Sequence, residues 1–177
     1  MKTKQFTLLV IGVFIFGTLQ LDAQTASVIE KRIGNTVYEL DTVSYSIKNK
    51  ANKISEKEIN TNGCKVSFDN YSKEAETNWK ENFKPIFSKE RAEELNFRIN
   101  ITSICDSTGL IREIEIFFGS RENFEKVTLS EIKAIEDAAK TYRYKDLSWY
   151  DCEELKYVRI YHHRLNPYLL YFEKPKK

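Results

Sequence analysis

The side chains of this sequence most suited to chemistry are two histidines, two glutamates two positions apart and three cysteines. His162 and His163 are adjacent, so on a strand they would point to opposite faces and could not readily share one metal ion. We interpret them as a surface pair. No P-loop, GxSxG, HExxH or GxGxxG motif occurs in the sequence. The sequence therefore predicts no catalytic residue, no metal site and no cofactor.

Glu113 and Glu115 are the one pair of carboxylates whose spacing resembles that of a glycosidase. On a strand they share a face about 7 Å apart, which is within the range that such enzymes use. Alternating charges on the wet face of a strand need no catalytic explanation, and no neighbour would raise one pKa into the range of a general acid. We expect a protein that is not an enzyme, with an unrecognised active site as the alternative.

The three cysteines, Cys64, Cys105 and Cys152, are too widely spaced for a CxxC redox or zinc site. Two of them can pair in an oxidising compartment, and one must remain over. The topology derived below places Cys105 at the end of one strand and Cys152 just ahead of an antiparallel neighbour. We therefore predict a disulfide between Cys105 and Cys152.

Residues 1–24 have the pattern of an export signal. Lys2 and Lys4 precede an apolar run over residues 8–17, and small residues lead to a cleavage site near Ala23 and Gln24. An uncleaved membrane anchor is the alternative, but an apolar core of about 10 residues is short of the roughly 20 that span a bilayer. The mature chain, residues 25–177, is expected to be periplasmic or extracellular, with no membrane span.

The charge balance argues against one class of partner. The chain carries 28 basic and 26 acidic side chains, and loss of Lys2, Lys4 and Asp22 with the signal lowers its net charge from +2 to +1. Proteins that bind nucleic acid by neutralising phosphates carry a clear basic excess. We predict no nucleic-acid partner. The mature length suits one domain with a substantial core.

A β-hairpin is the clearest local pattern. Leu95, Phe97, Ile99 and Ile101 alternate with polar residues, as on a strand with one dry face. Residues 106–109, Asp-Ser-Thr-Gly, form a turn in which the glycine is free to take a positive φ, and residues 110–118 return as the second strand.

A capped helix and a third strand follow the hairpin. Thr128 and Glu131 form a capping box, and apolar residues recur on one face as far as Tyr142. Residues 155–161 alternate again. If the helix crosses back over the hairpin, the third strand lies antiparallel beside the first. The predicted fold is thus α+β and two-layered, an antiparallel β-β-α-β sheet in the spatial order second, first, third, covered by the helix.

The segments on either side of this core, residues 95–161, complete a single domain. In the N-terminal extension, residues 25–94, the sequence predicts two short strands about Asp41, then a strand over residues 64–68. A helix with Trp79 in the core should end at Pro85, and Ser88 should cap a second helix. The aromatic tail, residues 166–173, either adds an edge strand or forms an exposed apolar surface. Its candidate residues are Tyr168, Leu169, Leu170, Tyr171 and Phe172.

The order of these motifs has a counterpart in a known family. The alternating strand, the Asp-x-x-Gly turn, the second strand, the amphipathic helix and the closing Tyr142-Arg143-Tyr144 resemble the C-terminal domain of TonB-type energy transducers. They are similar too to small exported bacterial proteins built on that module. The resemblance implies a sheet edge that binds an extended partner segment by strand addition. We expect no retained anchor here, and the sequence has no Pro-rich spacer and no Tyr-Pro start, so energy transduction is not carried over.

The sequence thus favours an exported, non-catalytic module that binds a protein or peptide through a strand edge or through the tail. A binder of a small molecule or glycan, with a pocket between the N-terminal segment and the sheet, is the alternative. A purely structural role in the envelope is a third possibility that the sequence does not separate from the first.

Overall fold

A computed structural model describes residues 27–60, 65–69, 73–150 and 156–172 of the chain. These residues form an α+β fold with an open seven-stranded sheet, which confirms the predicted class. The strands are β1 (Val28–Ile33), β2 (Thr36–Asp41), β3 (Ser46–Asn49), β4 (Ile59–Asn60), β5 (Lys65–Asp69), β6 (Ile99–Asp106), β7 (Ile111–Phe118), β8 (Lys145–Tyr150) and β9 (Tyr157–Leu165). The helices are α1 (Lys73–Phe83), α2 (Lys89–Glu94), α3 (Arg121–Lys126) and α4 (Leu129–Thr141).

The seven strands of the large sheet follow the order β1-β2-β3-β7-β6-β9-β4. Neighbours are antiparallel, except that the two-residue β4 runs parallel to β9. β5 and β8 pair antiparallel in a separate two-stranded sheet. Helix α4 packs against β7 and β1, and α1 packs against α4. The main core lies between these helices and the inner face of the sheet.

The predicted hairpin is present as β6 and β7, with Ile99 opposite Phe118. Its turn is fixed by Asp106, whose carboxylate accepts hydrogen bonds from the Thr108 N–H at 2.8 Å and the Thr108 hydroxyl at 2.6 Å. Gly109 takes a φ of +79°, and its carbonyl accepts a 2.9 Å bond from the Tyr144 N–H. The turn is therefore joined to the segment that follows α4.

The start of the first hairpin strand was predicted too early. The sequence placed Leu95 on the strand, but β6 begins at Ile99, and Leu95 is the C-terminal cap of α2. Leu95 is nonetheless fully buried, because the helix end turns it into the same core that Ile99 and Ile101 face. Leu95 thus fits the alternating pattern of the strand although it belongs to the end of a helix.

Helices α2 and α4 begin where the sequence predicted, whereas α3 was not predicted. Thr128 accepts a bond from the Glu131 N–H at 3.2 Å, and the Glu131 carboxylate accepts one from the Thr128 N–H at 2.8 Å, which completes the capping box of α4. Ser88 caps α2 through the Arg91 N–H. Helix α1 ends at Phe83, and Pro85 lies in the 3-10 turn that follows.

A buried carboxylate joins the N-terminal strands to α4. Glu136 is 3% exposed, and it accepts hydrogen bonds from the Tyr38 hydroxyl at 2.5 Å and the Asn49 amide at 2.9 Å. Lys140 lies 2.6 Å from the same carboxylate. Burial, and next the hydrogen bond to this carboxylate, raise the pKa of Tyr38, so its hydroxyl remains a donor. The ion pair with Lys140, one helical turn further along α4, belongs to this buried network.

Replacement of Tyr38 by phenylalanine is expected to lower the free energy of unfolding by about 1–3 kcal/mol, because one charge-assisted hydrogen bond to a buried carboxylate is lost. Urea unfolding measures the loss. The matched control is Tyr45→Phe, since the half-buried Tyr45 hydroxyl has no hydrogen bond to the described residues. Equal losses in the two variants would contradict this role for the Tyr38 hydroxyl.

The N-terminal extension adds more strands to the large sheet than the sequence predicted. Three strands, rather than two, cover residues 28–49. Gly34, with a φ of +55°, turns β1 into β2, and the Asp41 carboxylate accepts a 2.8 Å bond from the Val43 N–H between β2 and β3. Because β3 pairs with β7, this meander continues the hairpin sheet. The predicted strand at residues 64–68 corresponds to β5, and its partner β8 was missed.

The tail contains a 3-10 turn over Tyr168–Leu170, so of the two alternatives for the tail the edge strand is wrong. Pro167 has φ −54° and ψ −40°, which are helical values, and Asn166 accepts a 3.0 Å bond from the Tyr168 N–H through its side chain. The Leu170 N–H then donates to the Pro167 carbonyl at 3.1 Å. The Asn-Pro step therefore starts a helical turn at a point where apolar content alone favoured a strand. β9 also runs longer than predicted, from Tyr157 to Leu165.

Candidate functional site

A cleft of about 690 Å³ lies where α1, the start of β6, the end of β9 and the tail meet. We call it the tail cleft. Its lining residues are Glu76, Trp79, Lys80, Arg98, Arg164, Leu165, Asn166, Leu169, Leu170, Tyr171 and Phe172. Four of the five residues that the sequence singled out in the tail line this cleft; Tyr168 does not. A volume of this size is typical of sites that hold a small ligand or a few residues of a peptide.

The tail is held in place by hydrogen bonds and ring contacts. The Tyr171 hydroxyl donates to the Phe87 carbonyl at 2.5 Å and is 3.1 Å from the Lys84 carbonyl. Phe172 stacks on Tyr168 with ring centroids 4.5 Å apart. Leu170 is buried in the core cluster. The tail is thus a packed wall of the cleft, with one side against the helices and one side open.

Trp79 lies at the base of the tail cleft. Its indole stacks on the His163 imidazole with centroids 3.8 Å apart, and it makes an edge contact with the Tyr142 ring at 5.0 Å. Only 5% of Trp79 is exposed, so its predicted place in the core is confirmed. Its indole N–H is buried and has no hydrogen-bond partner in the part of the chain that the structure describes. An unpaired buried donor is uncommon, because it loses its hydrogen bond to water without replacement.

The charged groups of the tail cleft are mostly basic. Glu76 and Lys80 neutralise each other across one helical turn, with an N–O distance of 2.9 Å. Arg98, directly before β6, and Arg164, on β9, are both exposed. Neither has an ion pair or side-chain hydrogen bond with residues 27–60, 65–69, 73–150 or 156–172. Two unpaired guanidinium groups therefore give the cleft a positive charge.

His163 is buried, so the predicted surface pair of histidines is wrong for this member. It is 8% exposed, and its Nδ1 lies 2.5 Å from the Tyr144 hydroxyl. Burial lowers the pKa of His163 to about 4, and burial raises the pKa of Tyr144. The pair is therefore neutral near pH 7. The one available signal was Leu165, two positions further along the strand and also buried. Alternation from Val158 and Ile160 would have placed residue 162 in the core, and the register shift between Ile160 and His163 reverses this.

The sequence suggested that Glu113 lies on a solvent-exposed face of its strand, but in the structure it does not. It is buried, and its carboxylate accepts hydrogen bonds from the Lys53 N–H at 2.6 Å and the Ile54 N–H at 3.0 Å. Glu115 is half-buried. The first carboxylate thus fixes the segment after β3. Among the described residues no cluster of three or more His, Cys, Asp or Glu side chains is placed to hold a metal ion.

Cys105 is buried and forms no disulfide with a described residue, and burial raises the pKa of its thiol. It lies opposite Val158 on β9. Cys152 and Cys64 lie outside the described residues. The disulfide between Cys105 and Cys152 therefore stays a prediction, and peptide mapping of the unreduced protein tests it: recovery of both cysteines as free thiols would exclude it.

Fold and site together define an α+β protein with an open, largely antiparallel sheet and a basic, aromatic-lined cleft at one end. No family model and no curated protein matches the chain. Among solved structures, the chain is similar to a DUF5043 family protein from Bacteroides uniformis, with a TM-score of 0.58 and 18% sequence identity. The match covers 80% of this chain and 92% of that one. At this identity the likeness concerns the fold alone.

No helix within the described ranges is long and apolar enough to cross a membrane. The longest, α4, has 13 residues and is polar on its outer face. The predicted export signal, residues 1–24, lies outside the described residues.

Proposed function

We propose that this protein is an exported, non-catalytic module that binds a segment of a protein or peptide in the tail cleft. The observation that carries the proposal is the cleft itself, which combines a packed aromatic wall with unpaired positive charge. The resemblance of residues 95–161 to a TonB-type C-terminal domain supports a binding role over a catalytic one. Part of the proposal concerns the fold. In it, α4 covers the three strands that follow one another in space as β7, β6 and β9, the two-layer arrangement that the sequence predicted.

Aromatic side chains on a fixed wall favour recognition of apolar groups. Tyr171 is held by its hydrogen bond to the Phe87 carbonyl, and Phe172 by its stacking on Tyr168. Groups that are already ordered lose little conformational freedom when a partner binds. Tyrosine, tryptophan and arginine are also the residues that most often dominate the energy of protein interfaces. The cleft thus presents aromatic side chains that are already ordered before a partner binds.

Strand addition at β1 is a second way to bind a partner, and it is the way that the family resemblance implies. β1 is an outer strand that pairs with β2, and Val28 and Ile29 on it are 45% and 40% exposed. However, it also carries Glu30, Lys31 and Arg32, and charges of this kind commonly protect strand edges from unwanted pairing. We therefore favour the tail cleft.

A peptide-display selection tests the proposal. Random 12-residue peptides are selected on the mature protein and then counter-screened on Leu169→Gln, which places a polar group on the cleft wall. Val43→Gln is the matched control, because Val43 is 73% exposed and lies in the turn between β2 and β3. Circular dichroism and thermal melting check that both variants fold.

The proposal predicts enriched peptides that bind the wild type and Val43→Gln alike and bind Leu169→Gln at least tenfold more weakly. Enrichment of peptides that bind all three proteins equally, with backbone amide shifts confined to β1, would favour strand addition instead. Failure to enrich any peptide, together with saturable binding of a glycan or small molecule that Leu169→Gln weakens, would favour the alternative of a small-molecule binder.

A further inference from the structure

The two unpaired arginines of the tail cleft lie close to each other on the sheet. Arg164 is directly opposite Asn100 in the β6–β9 register, and Arg98 is two positions before Asn100. Side chains in this diagonal relation lie about 7–8 Å apart on the same face. That spacing separates the two positions on the sheet, and arginine side chains are long enough for both guanidinium groups to reach one point in the cleft, where like charges repel each other. No acidic side chain among the described residues pairs with either arginine. A negatively charged group between them would relieve this repulsion.

The guanidinium group is suited to particular anions. Its planar fork of N–H donors matches a carboxylate or a phosphate, either of which can accept two parallel hydrogen bonds, and a carboxylate is the one that an unmodified peptide carries. Glu76 also lines the cleft, but it is paired with Lys80 at 2.9 Å and with neither arginine. A carboxylate that binds both arginines would therefore be supplied by the bound partner.

The rest of the cleft indicates what stands beside that carboxylate. Leu169, Leu170 and Phe172 form its apolar wall, and Trp79 lies at its base. An aromatic or aliphatic side chain fits against this wall.

We propose that the tail cleft recognises an acidic side chain flanked by an aromatic or aliphatic residue in an extended partner peptide, with Arg98 and Arg164 together binding the carboxylate. This inference rests on the proposed function, since it names the chemistry of the segment that the cleft binds. Specificity arises because the two arginines distinguish a carboxylate from its neutral amide, while the wall selects for the apolar neighbour.

Capped synthetic peptides test this directly. The probes are peptides from the display selection, acetylated and amidated so that they carry no terminal charge, each with its Asp or Glu kept or replaced by Asn or Gln. Binding is measured by titration calorimetry on the wild type, Arg98→Gln, Arg164→Gln and Arg32→Gln. Arg32 lies on β1, across the sheet from the cleft, so its variant removes the same charge elsewhere.

The expected result is a rise in Kd of about tenfold or more when the peptide loses its carboxylate. Arg98→Gln and Arg164→Gln should each abolish most of this difference, and Arg32→Gln should leave it unchanged. Cleft-dependent peptides that contain no acidic residue, or that bind equally well as amides, would overturn the inference while the proposed function stands. Binding that requires a free peptide C-terminus would also overturn it, because the carboxylate would then be the chain end.

The failure of the proposed function has a different signature. If no selected peptide distinguishes Leu169→Gln from the wild type, the cleft is not the binding site and the role of the two arginines falls with it. The Arg32→Gln control separates a specific loss from a general effect of net charge, because each arginine variant lowers the charge by one.

Discussion

Replacement of Gly109 by alanine is expected to lower the free energy of unfolding by about 2–4 kcal/mol, although it adds only one methyl group. Gly109 has a φ of +79°, in a region that side chains with a Cβ rarely adopt. A Cβ at this position would also lie 2.3 Å from the Tyr144 carbonyl oxygen. Because that contact is with backbone, the turn or the segment after α4 must move. Urea unfolding measures the loss.

Gly34→Ala is the matched control for this prediction. Gly34 also has a positive φ, +55°, but no atom lies within 4 Å of a Cβ built there. Gly34→Ala therefore has the backbone strain without the clash, and its free energy of unfolding is expected to fall by about 1 kcal/mol. The contact with Tyr144 would not be important if both variants lost the same free energy.

The hairpin and the helix starts could be predicted because their signals are local. The Asp106 carboxylate and Gly109 act within one turn, and Thr128 and Glu131 satisfy each other's backbone N–H groups. Such interactions depend on side chains a few positions apart, so the printed sequence contains nearly all the information that they need.

The buried polar groups could not be predicted, because their partners are distant in the chain. Glu136 reads as the exposed end of an i,i+4 pair with Lys140, and only the packing of β2 and β3 against α4 brings Tyr38 and Asn49 to it. Glu113 likewise looks like a wet-face residue until the Lys53 and Ile54 N–H groups lie over it. In both cases the neighbours in sequence suggest an exposed side chain, and contacts with distant parts of the chain bury it.

The tail cleft could not be predicted for the same reason, because its residues are distant from one another in the chain. The sequence singled out the aromatic residues of the tail but not Arg98 or Arg164, which read as solvated charges beside β6 and on β9. These arginines become neighbours only through the register of β6 and β9, and the cleft exists only because the tail forms a turn instead of a strand. The helical φ and ψ of Pro167 are the local cause of that turn.

The buried His163 should make stability depend on pH. Its ordinary pKa is about 6.5, and burial lowers the value in the folded protein to about 4. Above pH 6.5 the imidazole is neutral in both states and adds no pH dependence. Between pH 6.5 and 4 the unfolded chain binds a proton that the folded chain does not, so the free energy of unfolding falls as the pH falls.

The expected contribution of His163 to this fall is about 3 kcal/mol between pH 6.5 and 4, and it levels off below pH 4, where both states are protonated. Replacement by glutamine removes the titrating group and keeps a polar, planar side chain beside Trp79 and the Tyr144 hydroxyl. The measurement is urea unfolding of wild type and His163→Gln at several pH values between 4 and 7.

The difference between the two unfolding curves isolates His163, because the carboxylates that titrate near pH 4 contribute equally to both proteins. Tyr144→Phe is the control, since it removes the hydrogen bond to the His163 Nδ1 but leaves the imidazole buried and able to titrate. It should be less stable than wild type and keep most of the pH dependence, because burial is the cause that lowers the pKa of His163. Parallel pH profiles for wild type and His163→Gln would mean that the imidazole is protonated in the folded protein at little cost, and that its stacking on Trp79 does not exclude the charged form.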